Sequence, residues 1–298
     1  MTWAFPPRAP YALPLPGGEL RVGERPLVMG ILNVTPDSFA SSPMTDPAAA
    51  AEAALRMDAE GADLIDVGGE STRPGAAAVP LDEELARVLP VVRAIAGRLR
   101  APISIDTWRA AVARAALDAG ASMVNDVSGL LYDRELAGVV AARGAAIVLM
   151  HTRGRPDTMG REAVYRDLIA EVTAELAAAV TRAVEGGVPR EAIVVDPGIG
   201  FAKRPHHSYG VLARLPDIAE ALDRPVLVGP SRKSFLQEAS GGAPPSGRDW
   251  ATAAAVTAAV LGGAHIVRVH AVAEMAQVAR AAEEIRRGLQ ATARSEQP

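Results

Sequence analysis

The sequence predicts a single (β/α)8 TIM barrel, class α/β, with a short N-terminal extension covering its bottom. Three observations carry this reading. Eight short apolar, β-branched runs alternate with longer alanine-rich segments of helical period. No long linker divides the 298 residues into halves. Seven of the eight runs finish in or beside a carboxylate, an amide or a base, and the remaining one in Met150-His151. Strands alternating with helices build a parallel sheet, and in a closed parallel barrel the chemistry gathers at the C-terminal strand ends. A doubly wound open sheet is disfavoured because "GIGFAK" places Lys203 where the third glycine of a dinucleotide fingerprint would stand.

In chain order, the proline-rich residues 1–26 form the extension and residues 27–290 the barrel. "LVMGILNV" (27–34) is apolar enough to be buried on both faces, and it breaks at Asn33 into the turn-forming Thr35-Pro36-Asp37-Ser38. A helix over 46–60 starts at Asp46-Pro47, a capping side chain followed by a first-turn proline, and stops at Gly61. "DLIDVGG" (63–69) leads through Glu70-Ser71-Thr72-Arg73 to a helix over 81–99. "ISID" (103–106) is followed by a helix over 108–119 ending at Gly120, and "MVND" (123–126) by one over 133–143 between Asp133 and Gly144. "AIVLM" (146–150) precedes a helix over 161–185 that ends at Gly186, and "IVVDPG" (193–198) one over 207–221. "VLVGPS" (226–231) precedes 250–262, "IVRVH" (266–270) precedes 273–287, and 291–298 form a C-terminal tail.

Composition narrows the function. Hydrophobic residues at 49% and charged residues at 22% describe a folded globular chain. A net charge of -4 excludes a nucleic-acid binder that relies on excess positive charge. No apolar run is long enough to cross a membrane, and the N-terminus lacks the basic start and apolar core of a signal peptide, so a cytoplasmic location is expected. The absence of cysteine excludes disulfides, thiolate nucleophiles and cysteine metal sites. Of the 31 basic residues only Lys203 and Lys233 are lysine, and asparagine occurs only at Asn33 and Asn125. All four fall at the polar strand ends or in the loops beside them, where the two kinds of cation are not interchangeable.

A strand-end aspartate often caps the next helix, and Asp66 or Asp126 alone reads that way as readily as any other. Capping does not account for the whole set. Asp106, Asn125 and Asp196 offer acceptors and an amide suited to a flat heterocycle with N–H donors. Arg268, His270, Asn33 and Thr72 offer donors for an anion such as phosphate, and Lys233 adds a point charge. Other mechanisms fail. There is no H-E-x-x-H zinc motif and no P-loop, and in "GPSRK" Lys233 replaces the second glycine of a nucleophile elbow.

Taken together, "LVMGILNVTPDSF", "DVGGESTRPG", "SIDT", "VNDVSG", "VLMHTRG", "DPGIGF", "SRKSF" and "RVH" resemble the dihydropteroate synthase family through most of the chain. The resemblance implies a (β/α)8 barrel that joins 6-hydroxymethyl-7,8-dihydropterin diphosphate to p-aminobenzoate with Mg²⁺, releasing pyrophosphate. It also implies a homodimer and competition by sulfonamides for the p-aminobenzoate site. Carried onto this sequence, Asp106, Asn125, Met150, Asp196 and Lys233 would hold the pterin. Asn33, Thr72, Arg268 and His270 would hold the diphosphate, with Asn33 meeting the metal. Phe39, Arg73, Pro74 and Ser231 would form the p-aminobenzoate pocket, and Lys233, Arg268, His270 and Asp106 would carry the catalysis. The chain departs from the family at Ala40-Ser41-Ser42-Pro43, where Ser-Asp-Gly-Gly is usual, at Ala202 in place of glycine, and at Ala271 in place of aspartate. The alternatives are a pterin-binding paralogue without turnover and a corrinoid-dependent pterin methyltransferase, against which "STRPG" and "SRKSF" speak.

Overall fold

The computed structural model describes residues 5–35, 46–73, 75–76 and 78–295, with side chains through residue 288. The calls on Phe39, Pro74 and the segment Ala40-Ser41-Ser42-Pro43 lie outside the described residues.

The extension is a hairpin. β1 (Tyr11–Leu15) and β2 (Gly18–Val22) pair antiparallel, with Leu15 opposite Gly18. Side chains alternate across it: Leu13 and Val22 are buried, while Glu19 and Arg21 face solvent. The barrel follows as β3 (Leu27–Asn33), β4 (Leu64–Gly68), β5 (Ile103–Asp106), β6 (Met123–Asp126), β7 (Ala146–Met150), β8 (Ile193–Asp196), β9 (Leu227–Val228) and β10 (Ile266–Val269). All are parallel, in the order β8-β7-β6-β5-β4-β3-β10-β9. The ring closes where Val195 bridges Val226 and its N–H donates to Pro225 O at 2.9 Å.

Period-two alternation sorts each strand into two faces. Leu27, Met29, Leu64, Met123, Ala146, Val148, Val194, Leu227 and Ile266 fill the interior, and Leu13 and Val22 of the hairpin cap the same cluster from below. Ile65, Val67, Ile103, Ile105, Val124, Ile147, Leu149 and Val195 point outward into the helix layer. That layer is α1 (Pro47–Ala59), α2 (Leu81–Ile95), α3 (Ala110–Asp118), α4 (Leu136–Ala142), α5 (Leu168–Glu185), α6 (Pro205–Ala213), α7 (Leu215–Leu222), α8 (Asp249–Leu261) and α9 (Val272–Ser295). α9 runs through the boundary drawn at residue 290. A buried pair, Arg8 Nη1 to Glu283 Oε2 at 2.7 Å, ties the extension to it.

Three helices differ from expectation for local reasons. Asp133 does not start α4; its carboxylate takes the amides of Glu135 at 3.0 Å and Ala110 at 2.8 Å, so it caps the neighbouring α3 as well. α5 begins only after Asp167, which accepts from Ala170 N and wins the N-cap. The stretch 207–221 divides into α6 and α7 because Pro216 cannot extend the hydrogen-bond ladder. Among the described residues no helix is long and apolar enough to cross a membrane.

Candidate active site

The interior parity continues to the upper rim. Asn33, Asp66, Asn125, Met150, Asp196 and Arg268 each stand an even number of positions along a strand whose nearer residues fill the core, and Asp106 follows the buried Ser104 with the same spacing. The fold therefore aims them all into one mouth. Asp126, at the opposite parity, is a turn residue: it accepts from Ser128 N at 2.8 Å, Ser128 Oγ at 2.7 Å and Leu130 N at 2.6 Å. The helix-capping reading fails for both: Asp126 holds the turn after β6 and α4 starts only at Leu136, while Asp66 caps no helix among the described residues.

Asp66 lies at the centre of the floor. Its Oδ2 accepts from Asn125 Nδ2 at 2.9 Å and from Arg268 Nε at 2.6 Å. Arg268 Nη2 also donates to Asp106 Oδ2 at 2.7 Å. Arg268 thus braces the floor carboxylates rather than standing apart on a separate donor-rich edge. Asp66 Oδ1 and Asp106 Oδ1 remain buried without a hydrogen-bond partner among the described residues. Burial pushes the Asp106 carboxyl up to about 7, against the pull of Arg268, with Asp66 adding to the rise. Asp196 is likewise raised by burial, opposed by Lys233, and its Oδ1 accepts from Gly198 N at 2.7 Å.

Lys233 donates to Ile199 O and sits 4.5 Å from the centre of the Phe201 ring. Burial draws its ammonium down to about 8. Met150 packs with Trp108 and Val127, flanked by Tyr132 and Phe201, as an apolar wall beside the polar floor. Trp108 meets Tyr132 edge-on at 5.6 Å. The sequence reading missed Trp108 and Phe201. The available signal was position, since Trp108 stands two residues beyond Asp106 in a chain with only 3 tryptophans.

His270 and Ser231 form a pair. The His270 amide donates to Ser231 Oγ at 3.2 Å, and Ser231 Oγ lies 2.9 Å from His270 Nδ1. The hydroxyl then donates to Nδ1 and leaves the ring proton on Nε2. Burial, reinforced by Arg232 and Arg268, lowers His270 to about 3, which favours the neutral ring. Ser231, expected in the p-aminobenzoate pocket, is 5% exposed and pairs with His270.

Thr72 is half-buried and Arg73 exposed on the loop after β4. That loop is anchored at both ends. Val79 N donates to Glu70 Oε1 at 2.9 Å, Arg87 Nη1 to Gly69 O at 2.7 Å, and Arg109 Nη2 to Val79 O at 2.6 Å. Gly75 N reaches across to Pro156 O at 3.1 Å. Asn33 flanks the floor: a Cβ added to Gly68 would stand 3.6 Å from both Asn33 Oδ1 and Asp106 Oδ2.

A barrel mouth with buried acceptors, an apolar wall and a cationic side defines a site for a flat, donor-bearing heterocycle. Residues 29–270 match the family model described as pterin binding enzyme. A dihydropteroate synthase of Synechocystis is 47% identical over 282 residues, covering 94% of this chain and 95% of that protein. A Yersinia pestis dihydropteroate synthase solved with a sulfonamide drug superposes with a TM-score of 0.88 at 39% identity, covering 92% of this chain and 99% of that one. The Burkholderia cenocepacia enzyme solved with 7,8-dihydropteroate superposes with a TM-score of 0.84 at 44% identity, covering 96% and 99%. The chain belongs to the dihydropteroate synthase family, transferases of folate synthesis.

Proposed function

We propose that this chain condenses 6-hydroxymethyl-7,8-dihydropterin diphosphate with p-aminobenzoate to give 7,8-dihydropteroate and pyrophosphate, the pterin sitting on the floor of Asp106, Asn125 and Asp196. The observation that carries it is the pair of buried, unsatisfied oxygens, Asp66 Oδ1 and Asp106 Oδ1, beside the Met150–Trp108–Phe201 wall. Unpaired buried acceptors are costly, and ring N–H and amino donors would satisfy them. Lys233 would donate to the ring's acceptor side.

The diphosphate would lie toward Asn33, Thr72, Arg268 and His270. The C–O bond to the exocyclic carbon breaks first and pyrophosphate leaves with the electron pair. The dihydropterin delocalises the resulting cation, which the Asp106 and Asp196 carboxylates favour. The p-aminobenzoate amine then forms the C–N bond and releases its proton to solvent. Arg73 and the loop after β4 would receive p-aminobenzoate, as would Phe39 and Pro74. Among the described residues no cluster of three or more histidines or carboxylates forms a metal cage. A Mg²⁺ ion held by the Asn33 amide oxygen and substrate phosphate oxygens fits that donor set, since Mg²⁺ takes few protein ligands and keeps waters. When bound it would neutralise charge on the leaving group.

The homodimer and the cytoplasmic location belong to the same proposal. Trp250 on α8, 91% exposed, supports a covered outer face. Sedimentation tests the dimer, and cell fractionation the location. The deciding experiment follows pyrophosphate and dihydropteroate together in the presence of Mg²⁺. Equal amounts appearing only when p-aminobenzoate is added are expected. Pterin binding without either product would leave the paralogue reading in its place.

A further inference from the structure

Lys203 is the lysine that the reaction does not use. It is 8% exposed, yet no carboxylate among the described residues pairs with it. Its Nζ lies 2.7 Å from His151 Nδ1 and donates to Phe201 O at 3.2 Å. His151, 3% exposed, is fixed on its other side by Glu175 Oε2 at 3.0 Å from Nε2, and Glu175 is held by Arg153. This arrangement puts the ring proton on Nε2, donated to Glu175, and turns Nδ1 as an acceptor toward Lys203. Burial draws Lys203 down to about 7 and His151 to about 4, which agrees with a neutral imidazole accepting from the amine.

The segment 198–203 between β8 and α6 is strained. Gly198 has φ +68, Gly200 φ +81 and Ala202, without glycine's freedom, φ +46. A strained loop persists only where its surroundings hold it. Lys203 holds Phe201 O, Tyr165 Oη holds Ala202 O at 2.9 Å, and Ser208 Oγ accepts from Gly200 N at 3.2 Å. The same loop presents Ile199 O and the Phe201 ring to the other lysine, Lys233. A chain that uses arginine at nearly every basic position keeps one of its two lysines within this loop and brings the other against it.

We infer that Lys203, set by His151 and Glu175, is a positioning residue for Lys233: it clamps the 198–203 loop so that Ile199 O and Phe201 hold the Lys233 ammonium over the pterin site. This rests on the assignment of Lys233 to the pterin. Because the chain holds two lysines, [15Nζ]lysine labelling gives two side-chain signals, each assigned by its own substitution. Lys203→Met should shift the Lys233 signal and raise KM for the pterin diphosphate about tenfold while leaving KM for p-aminobenzoate within about twofold. Should Lys203→Met fold poorly, His151 supplies an independent pair. His151→Asn keeps an oxygen near the Nδ1 position and should keep KM; His151→Gln reaches toward Glu175 instead and should match Lys203→Met. An unmoved Lys233 signal with unchanged KM, or equal behaviour of the two His151 variants, would overturn the inference. Lys233→Ala with unchanged pterin KM would overturn the site assignment beneath it.

Discussion

Lys233 and Asp106 set opposite limbs of a pH profile. Asp106, raised to about 7 by burial, must be ionised to favour a cationic intermediate, and Lys233, lowered to about 8, must be protonated to donate. The expected kcat/KM for the pterin diphosphate therefore rises toward pH 7 and falls roughly tenfold per unit well above pH 8. Lys233→Arg, which cannot titrate there, should remove the basic limb and leave the acidic one; a retained basic limb would assign it elsewhere. At the same scale, Ser231 fixes the tautomer of His270. Ser231→Ala is expected to lower kcat about tenfold, with KM for p-aminobenzoate nearly unchanged. A selective rise in that KM would place Ser231 in the second substrate's pocket.

Among the elements, the turn after β8 is the least forgiving. A Cβ on Gly198 would stand 1.9 Å from His151 O, at a φ of +68 that L-residues avoid. Gly198→Ala should cost more than about 2 kcal/mol and disturb Asp196, whose carboxylate takes the Gly198 amide. Gly138, in the middle of α4 with nothing within 4 Å of its added Cβ, is the control. Gly138→Ala should stabilise by about 0.5–1 kcal/mol. Urea midpoints of the two variants check both signs. The elements themselves were legible because a β-branched run ending in Asp or Asn is a strong local signal. The sequence-read strands "ISID", "MVND" and "AIVLM" coincide with β5, β6 and β7. Partners across the barrel were not legible. Arg268 meets Asp66 from 202 positions away, and nothing local distinguishes a floor brace from an anion-binding edge. Lys203 and its histidine, 52 positions apart, were hidden for the same reason.

For the whole molecule, the extension is held by buried groups whose protonation couples it to the barrel. His265 accepts from Val226 N at 3.1 Å through Nδ1 and donates from Nε2 to Ala9 O at 3.0 Å. Burial lowers it to about 4, so the neutral ring contributes stability present above the unfolded value of 6.5 and lost as pH falls toward 4. Buried carboxylates with raised values, Asp106 and Asp126, act in the opposite direction over the same range. The informative quantity is therefore a difference. The stability advantage of the native chain over His265→Asn should shrink between pH 6.5 and 4, by on the order of 3 kcal/mol. A pH-independent difference would show that His265 does not titrate on unfolding.

The alternation of faces along the barrel strands has an evolutionary reading. Ile105 lies in the helix layer while Asp106 aims into the mouth, and Val124 and Asn125 divide the same way. Deleting one residue within β5 or β6 would exchange those roles, carrying a carboxylate or amide into oil and an aliphatic group into the pocket. Foldability and chemistry are thus inherited as one unit: length changes that survive selection must fall in the connections, and lineages of this barrel should diverge by loop size while their strands keep step.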